Sequence, residues 1–220
     1  IVDVQALKKL DLKVVSPAPD LIHITYEQLT SRMYTLIHEM VQQHRTTLIF
    51  TNTRSATERV VHHLKERYPT VYGEHNIGAH HSSLSKGLRR SLEERLRAGE
   101  LKCIVCSTSL ELGIDIGYID LVLLLGSPKS VSRALQRCGR SGHRLHDTTK
   151  GRIVVMSRDD LVECAVLLKS AIEHRIDRIH IPQNCLDVLA QHIFGIAISA
   201  KTHLDDLLAL VQQSYCYHTL

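Results

Sequence analysis

The sequence of 220 residues predicts an α/β fold, a doubly wound parallel sheet over residues 1–178 followed by the helical start of a second, smaller domain over residues 179–220. Three observations predict it. Short apolar runs rich in branched residues alternate with amphipathic helical patterns, the order required by a parallel sheet covered on both faces. Polar or glycine-bearing turns bound each run. Ile181-Pro182 then breaks the alternation, and only helical periodicity follows.

Taken in order, Thr47 to Thr51 is the first clear buried strand. Ser55 with Glu58 three residues on reads as a capping box, ahead of Val60, Val61 and Leu64 on one helix face. A shorter strand, Asn76 to His80, leads to a helix with Leu88, Leu92 and Leu96 at four-residue spacing and Gly99 as its stop. Lys102 to Cys106 and Asp120 to Leu125 are the next strands. Ser130 caps a helix through Val131, Ala134 and Leu135. Gly151 to Met156 is the last strand, and Ser157 or Asp159 starts the helix Leu161 to Arg175. The doubly wound unit is thus read from about Leu29 to Arg175. Two amphipathic segments remain, Leu186 to Ile198 and Leu204 to Gln213, too little chain for a domain of typical size.

Composition narrows the class. With 44% hydrophobic and 23% charged residues the chain can bury one good core. No apolar run approaches the roughly 20 residues that span a bilayer, and no signal segment opens the chain, so no membrane partner is expected. Six scattered cysteines fit a reducing, cytoplasmic setting. The first residue is Ile1, without a start signal, as expected of a chain cut from something longer. Cys103 and Cys106 form a CxxC, but a strand would point them to opposite faces, so no metal site is expected. His62-His63 and His80-His81 have no spaced carboxylate or thiol partner and read as solvated or packing residues.

The chemistry concentrates in one place. From Lys129 to Arg152 there are seven Lys or Arg and one acid, Asp147, against a formal net charge of +4 for the whole chain. Within that stretch, Gln136 to His143 sets Arg137 and Arg140 three residues apart around Gly139. An arginine offers a planar fork of donors that stays ionised, and glycine lets backbone approach a ligand, so the run is built to grip phosphate. Ligands of open parallel sheets bind beyond the carboxyl ends of the strands. There this sequence places Thr51-Asn52-Thr53-Arg54, Ser82-Ser83, Ser107-Thr108 and Gly126-Ser127, which suits a strand of phosphates.

These features in this order resemble the second RecA-like motor domain of superfamily 2 helicases. Thr47 to Arg54 (TLIFTNTR) is similar to motif IV, Ser107 to Ile116 (STSLELGIDI) to motif V and Gln136 to His143 to motif VI. Leu110 to His143 resembles the large helicase-related (Lhr) family, including Gly126 to Arg133 and the closing Ser-Gly-His. Asn184 to Gln191 is similar to the beginning of that family's winged-helix domain.

The resemblance implies a C-terminal motor half of an ATP-dependent DNA helicase. Arg137 and Arg140 would be arginine fingers toward a triphosphate held by an N-terminal RecA-like domain of the same polypeptide. Asp115 would hydrogen-bond the ribose, Gly113 would keep the backbone close, and Gln136 would lie at the cleft between the motor halves. Glu111 would either orient the motif V loop or touch ligand. For single-stranded or partly duplex DNA, the resemblance implicates Arg54, Ser82, Ser83, Ser107 and Thr108. His143 stands where many superfamily members have a third arginine, and it is not taken as a finger.

None of the eleven glycines is followed by lysine and no Asp by Glu, so the sequence has neither a P-loop nor a DExH box. ATP with Mg2+ would be bound mainly by the other motor domain, and this chain alone is expected to be inactive. Two alternatives stay open: a RecA-like nucleic-acid-binding or interaction module without catalytic role, and an RNA helicase of the same superfamily.

Overall fold

The computed structural model describes residues 9–112, 116–142, 147–178 and 180–220. The chain divides into two compact units, Ile1–Asp177 and Arg178–Leu220. The first runs β1 (Leu10–Val15), α1 (Tyr26–Gln42), β2 (Thr47–Phe50), α2 (Arg54–Arg67), β3 (Ile77–His80), α3 (Lys86–Arg97), β4 (Cys103–Cys106), β5 (Leu121–Leu125), α4 (Val131–Cys138), β6 (Thr149–Val154) and α5 (Arg158–Ile172). Its six strands form one sheet in the order β1-β6-β5-β2-β4-β3, and every pairing is parallel.

Period-2 alternation within fully buried strands splits the core in two. Leu48 and Phe50 of β2, Ile104 and Cys106 of β4, and Val122 and Leu124 of β5 face α3, α4 and α5 through Leu92, Leu96, Ala134, Cys138 and Leu167. Ile49, Cys103, Val105, Leu121 and Leu123 face α1 and α2 through Tyr34, Ile37, Val41, Val61 and Leu64. Each such Val, Leu, Ile or Phe side chain contributes about 1.5–3 kcal/mol by leaving water. Cys103 and Cys106 therefore belong to opposite cores, and burial raises both thiol pKa values.

Two expectations change. The doubly wound unit begins before Leu29, because β1 pairs along its whole length with β6, from Leu10 opposite Thr149 to Val15 opposite Val154. The cap of α2 is Thr53, not Ser55: the Thr53 hydroxyl accepts from the Ala56 N–H at 3.1 Å. The helix starts one residue after Thr53, which moves Glu58 past the position from which it could close a capping box. Elsewhere Ser130 caps α4 and Ser157 caps α5.

The second unit holds α6 (Leu186–Ser199), α7 (Leu204–Gln212) and a 3-10 turn, Tyr215–Tyr217. Tyr217 is buried and donates its hydroxyl to the Cys185 carbonyl at 2.9 Å, while Asn184 N–H donates to the Cys216 carbonyl. Among the described residues no helix is long and apolar enough to cross a membrane.

Candidate functional site

Because all six strands are parallel, the segments leaving their carboxyl ends share one edge of the sheet. Thr51, at the end of β2, is buried and spends its hydroxyl on Thr57 Oγ1 at 2.8 Å and the Thr53 carbonyl at 3.0 Å. Asn52 Nδ2 donates to the Ser127 carbonyl at 3.2 Å and ties the turn after β2 to that after β5. Arg54, the first residue of α2, is exposed and donates from Nη1 to Ser83 Oγ at 2.8 Å. Ser82 beside it is exposed. After β4 the two hydroxyls part: Thr108 is exposed, whereas Ser107 is buried. The Ser107 hydroxyl thus has no open approach from solvent, whereas that of Thr108 does.

The histidines at the end of β3 do have carboxylate partners. His81 Nε2 lies 2.6 Å from Glu58 Oε1 of α2, and His80 Nε2 lies 3.0 Å from Glu93 Oε1 of α3. The other ring nitrogen of His80 is 2.7 Å from Ser109 Oγ, and that hydroxyl is also 2.9 Å from the His80 carbonyl. Burial lowers the His80 pKa, against the opposing pull of Glu93. The Ser109 hydroxyl donates its one hydrogen to the His80 carbonyl, so a neutral ring donates either from Nε2 to Glu93 or from Nδ1 to Ser109, according to its tautomer. The sequence hid these pairs because Glu58 and Glu93 arrive from separate helices.

Motif VI lies on α4 and the loop after it. Ser130 Oγ accepts from Arg133 N–H at 3.2 Å, and Asp177 Oδ2 accepts from Ser132 N–H at 3.0 Å, so two side chains satisfy the start of this eight-residue helix. Its exit is fastened at the other end of the sheet. Ser141 Oγ donates to the Cys138 and Lys150 carbonyls and accepts from Lys150 N–H, and Gly142 N–H donates to the Ile119 carbonyl ahead of β5. Gly142 has φ +68, and a Cβ there would meet the Thr148 carbonyl at 2.9 Å, so only glycine fits.

The two arginines differ in setting. Arg140 is half-buried and Gln136 exposed. Arg137 is buried, with Nε 3.0 Å from Glu111 Oε2 and its guanidinium 5.1 Å from the Phe50 ring centroid. Arg133 approaches the same carboxylate at 3.5 Å. The Arg137 charge is thus met by Glu111 and shielded from solvent. Of the two readings of Glu111, the contacts favour orientation of the motif V loop. Gly113 and Asp115, expected at the ribose, and His143 lie outside the described residues. Among the described residues no group of three or more His, Cys, Asp or Glu could hold a metal ion.

A six-stranded all-parallel sheet, with an arginine-bearing helix fastened across it, defines a RecA-like domain of the helicase C-terminal class. The model of the helicase conserved C-terminal domain matches residues 28–145, and that of the large helicase-related protein, winged helix domain, matches residues 169–220. The chain belongs to the helicase conserved C-terminal domain family, as the helicase C-terminal domain of a large helicase-related (Lhr) protein. It is 59% identical over 220 residues to the ATP-dependent helicase Lhr-Core of Methanothermobacter thermautotrophicus, covering all of this chain and 26% of that protein. It is 32% identical to the Lhr helicase/probable uracil glycosylase of Mycolicibacterium smegmatis, over 98% of this chain and 16% of that protein. The chain thus spans about a quarter or less of the length of these relatives. The solved structure of Mycobacterium smegmatis helicase Lhr bound to ssDNA and AMP-PNP superposes with a TM-score of 0.87 at 34% identity, over 97% of this chain and 28% of that one.

Proposed function

We propose that this chain is the C-terminal motor half of an ATP-dependent DNA helicase or translocase, supplying an arginine finger and half of a single-strand track. The observation that carries this reading is one sheet with arginines placed at two of its ends, which suits two separate phosphate contacts. Arg54 meets Ser83 at the carboxyl edge, while Arg140 sits on a loop fastened near the starts of β5 and β6. The ssDNA and nucleotide analogue bound by the mycobacterial Lhr neighbour support the assignment of one site to a strand and the other to ATP.

In this reading ATP with Mg2+ is held mainly by an N-terminal RecA-like domain of the same polypeptide. A finger placed beside the transferring phosphoryl group stabilises charge that develops on its oxygens, and such fingers are worth about a thousandfold or more in rate. Arg140 takes that role. Arg137 acts through Glu111, fixing the face that α4 presents, and exposed Gln136 meets the opposing domain across the cleft. Gly113 and Asp115 keep the ribose-side role that their place in motif V implies. Arg54, Ser82, Ser83 and Thr108 hold the strand through its phosphates, contacts that carry no base information. The buried Ser107 hydroxyl serves the loop.

Strand-stimulated ATP turnover of the full-length protein, measured with matched DNA and RNA oligonucleotides, tests this reading. DNA should stimulate turnover more than RNA, and the isolated chain should turn over no ATP. Turnover indifferent to any strand would contradict the motor reading, and greater stimulation by RNA would overturn the DNA assignment.

A further inference from the structure

Two sites at different ends of one sheet need a mechanical connection if strand binding is to speed hydrolysis. We propose that His80 and Ser109 form that connection, as a pair of positioning residues between the strand track and motif VI. The inference rests on the motor reading above, and neither residue is placed against strand or nucleotide.

The path is continuous in bonded contacts. Ser83, which receives Arg54, lies three residues after His80 in a turn closed by the Leu84 N–H donating to the His81 carbonyl at 3.1 Å, which stiffens the connection. His80 is 1% exposed, so its ring cannot move independently of its neighbours. Its nitrogens are engaged on two sides, by Glu93 at 3.0 Å and Ser109 at 2.7 Å, and its own carbonyl lies 2.9 Å from the Ser109 hydroxyl. Ser109 therefore follows His80 whether the ring or the backbone shifts. Two residues further on, Glu111 holds Arg137 at 3.0 Å on the helix that leads to Arg140. A strand phosphate that pulls Ser83 and Arg54 into a new position thereby shifts the motif V loop and, through Glu111, the motif VI helix.

His80 itself lies outside motifs IV, V and VI, and it joins elements distant in sequence. Its partners come from α3 and from the loop after β4, so the connection arises only in the folded sheet. A coupling of this kind is an energy difference between two arrangements of one element, and a double-mutant cycle measures it directly.

The test uses the full-length protein and reads ATP turnover without strand and at saturating single-stranded DNA, with strand Kd measured separately. Ser109→Ala and His80→Gln should each cut the stimulation about tenfold, within the usual range of coupling between sites, while turnover without strand and strand Kd stay within about twofold. The double variant should be no worse than either single one, because both break the same link. Ser109→Thr, which keeps the hydroxyl, should restore stimulation. Full stimulation in Ser109→Ala, or a double variant as impaired as the product of the two singles, overturns the proposal. Should His80→Gln fail to fold, the Ser109→Ala and Ser109→Thr pair still decides it. Loss of turnover in Arg140→Ala together with full stimulation in Ser109→Ala removes only the His80 link, whereas undiminished turnover in Arg140→Ala removes the motor reading itself.

Discussion

Arg137 and Glu111 form an ion pair at 3.0 Å, with side chains only 3% and 11% exposed. Motif V and motif VI are thus joined inside the protein before any ligand arrives. The pair fixes which face of a short helix turns inward, with Arg140 following half-buried one turn further on.

Removing one partner of that pair leaves the other charge buried and unmet. Glu111→Ala should destabilise the chain by about 3–5 kcal/mol, and Glu111→Leu combined with Arg137→Met should recover most of the loss. Urea unfolding of the three proteins checks this; a Glu111→Ala midpoint equal to that of the parent contradicts it.

The junction of α4 with β6 is as tight as contact allows. A Cβ at Gly151 would meet Cys138 Sγ at 2.5 Å and Leu12 Cδ2 at 2.8 Å. Gly151→Ala should cost about 1–3 kcal/mol by overpacking, and adding Cys138→Ala should return part of it. Thermal unfolding of the single and double variants decides, and additive losses would contradict this packing.

Much of this was legible in the sequence because it is local. Runs such as Leu121 to Leu125 are buried on both faces and read as strands whatever surrounds them, and Ser130 and Ser157 stand directly ahead of the helices they cap. What was not legible depends on partners distant in sequence. β1 has charged residues inside it, Asp11 and Lys13, and earns its place only by pairing with β6, where Asp11 meets Arg152 at 2.8 Å. Thr53 and Ser55 are both competent caps, and the exit of β2 chooses between them. An arginine on an eight-residue helix can face either way until Glu111 is placed, so the burial of Arg137 against Glu111 was not legible in the sequence.

His80 gives stability a pH dependence of definite sign. Its folded-state pKa is lowered from 6.5, chiefly by burial, with Arg89 and His81 adding to the fall and Glu93 opposing it. Its contribution is therefore complete above about 6.5 and declines as pH falls toward the depressed folded value, below which both states are charged. Urea midpoints at pH 7.5 and 5.5 should differ more for the parent than for His80→Gln. An equal pH slope in the two proteins contradicts this assignment.

Thiol chemistry should follow burial. Cys103, Cys106, Cys138 and Cys164 are buried, and the Cys138 thiol is pushed up to about 12, whereas Cys185 and Cys216 are partly open. Iodoacetamide at pH 8 should add to Cys185 and Cys216 alone in the folded chain, read by mass spectrometry, and to all six after unfolding. Rapid modification of Cys103 or Cys106 without unfolding contradicts the two-core packing.

Under the proposed motor function, Arg140 completes an ATP site held mainly by another domain. The most direct measurement is ATP turnover at saturating single-stranded DNA by full-length Arg140→Ala, with strand binding measured in parallel. Turnover should fall about a thousandfold or more with strand affinity largely kept. Turnover equal to that of the parent protein would contradict it.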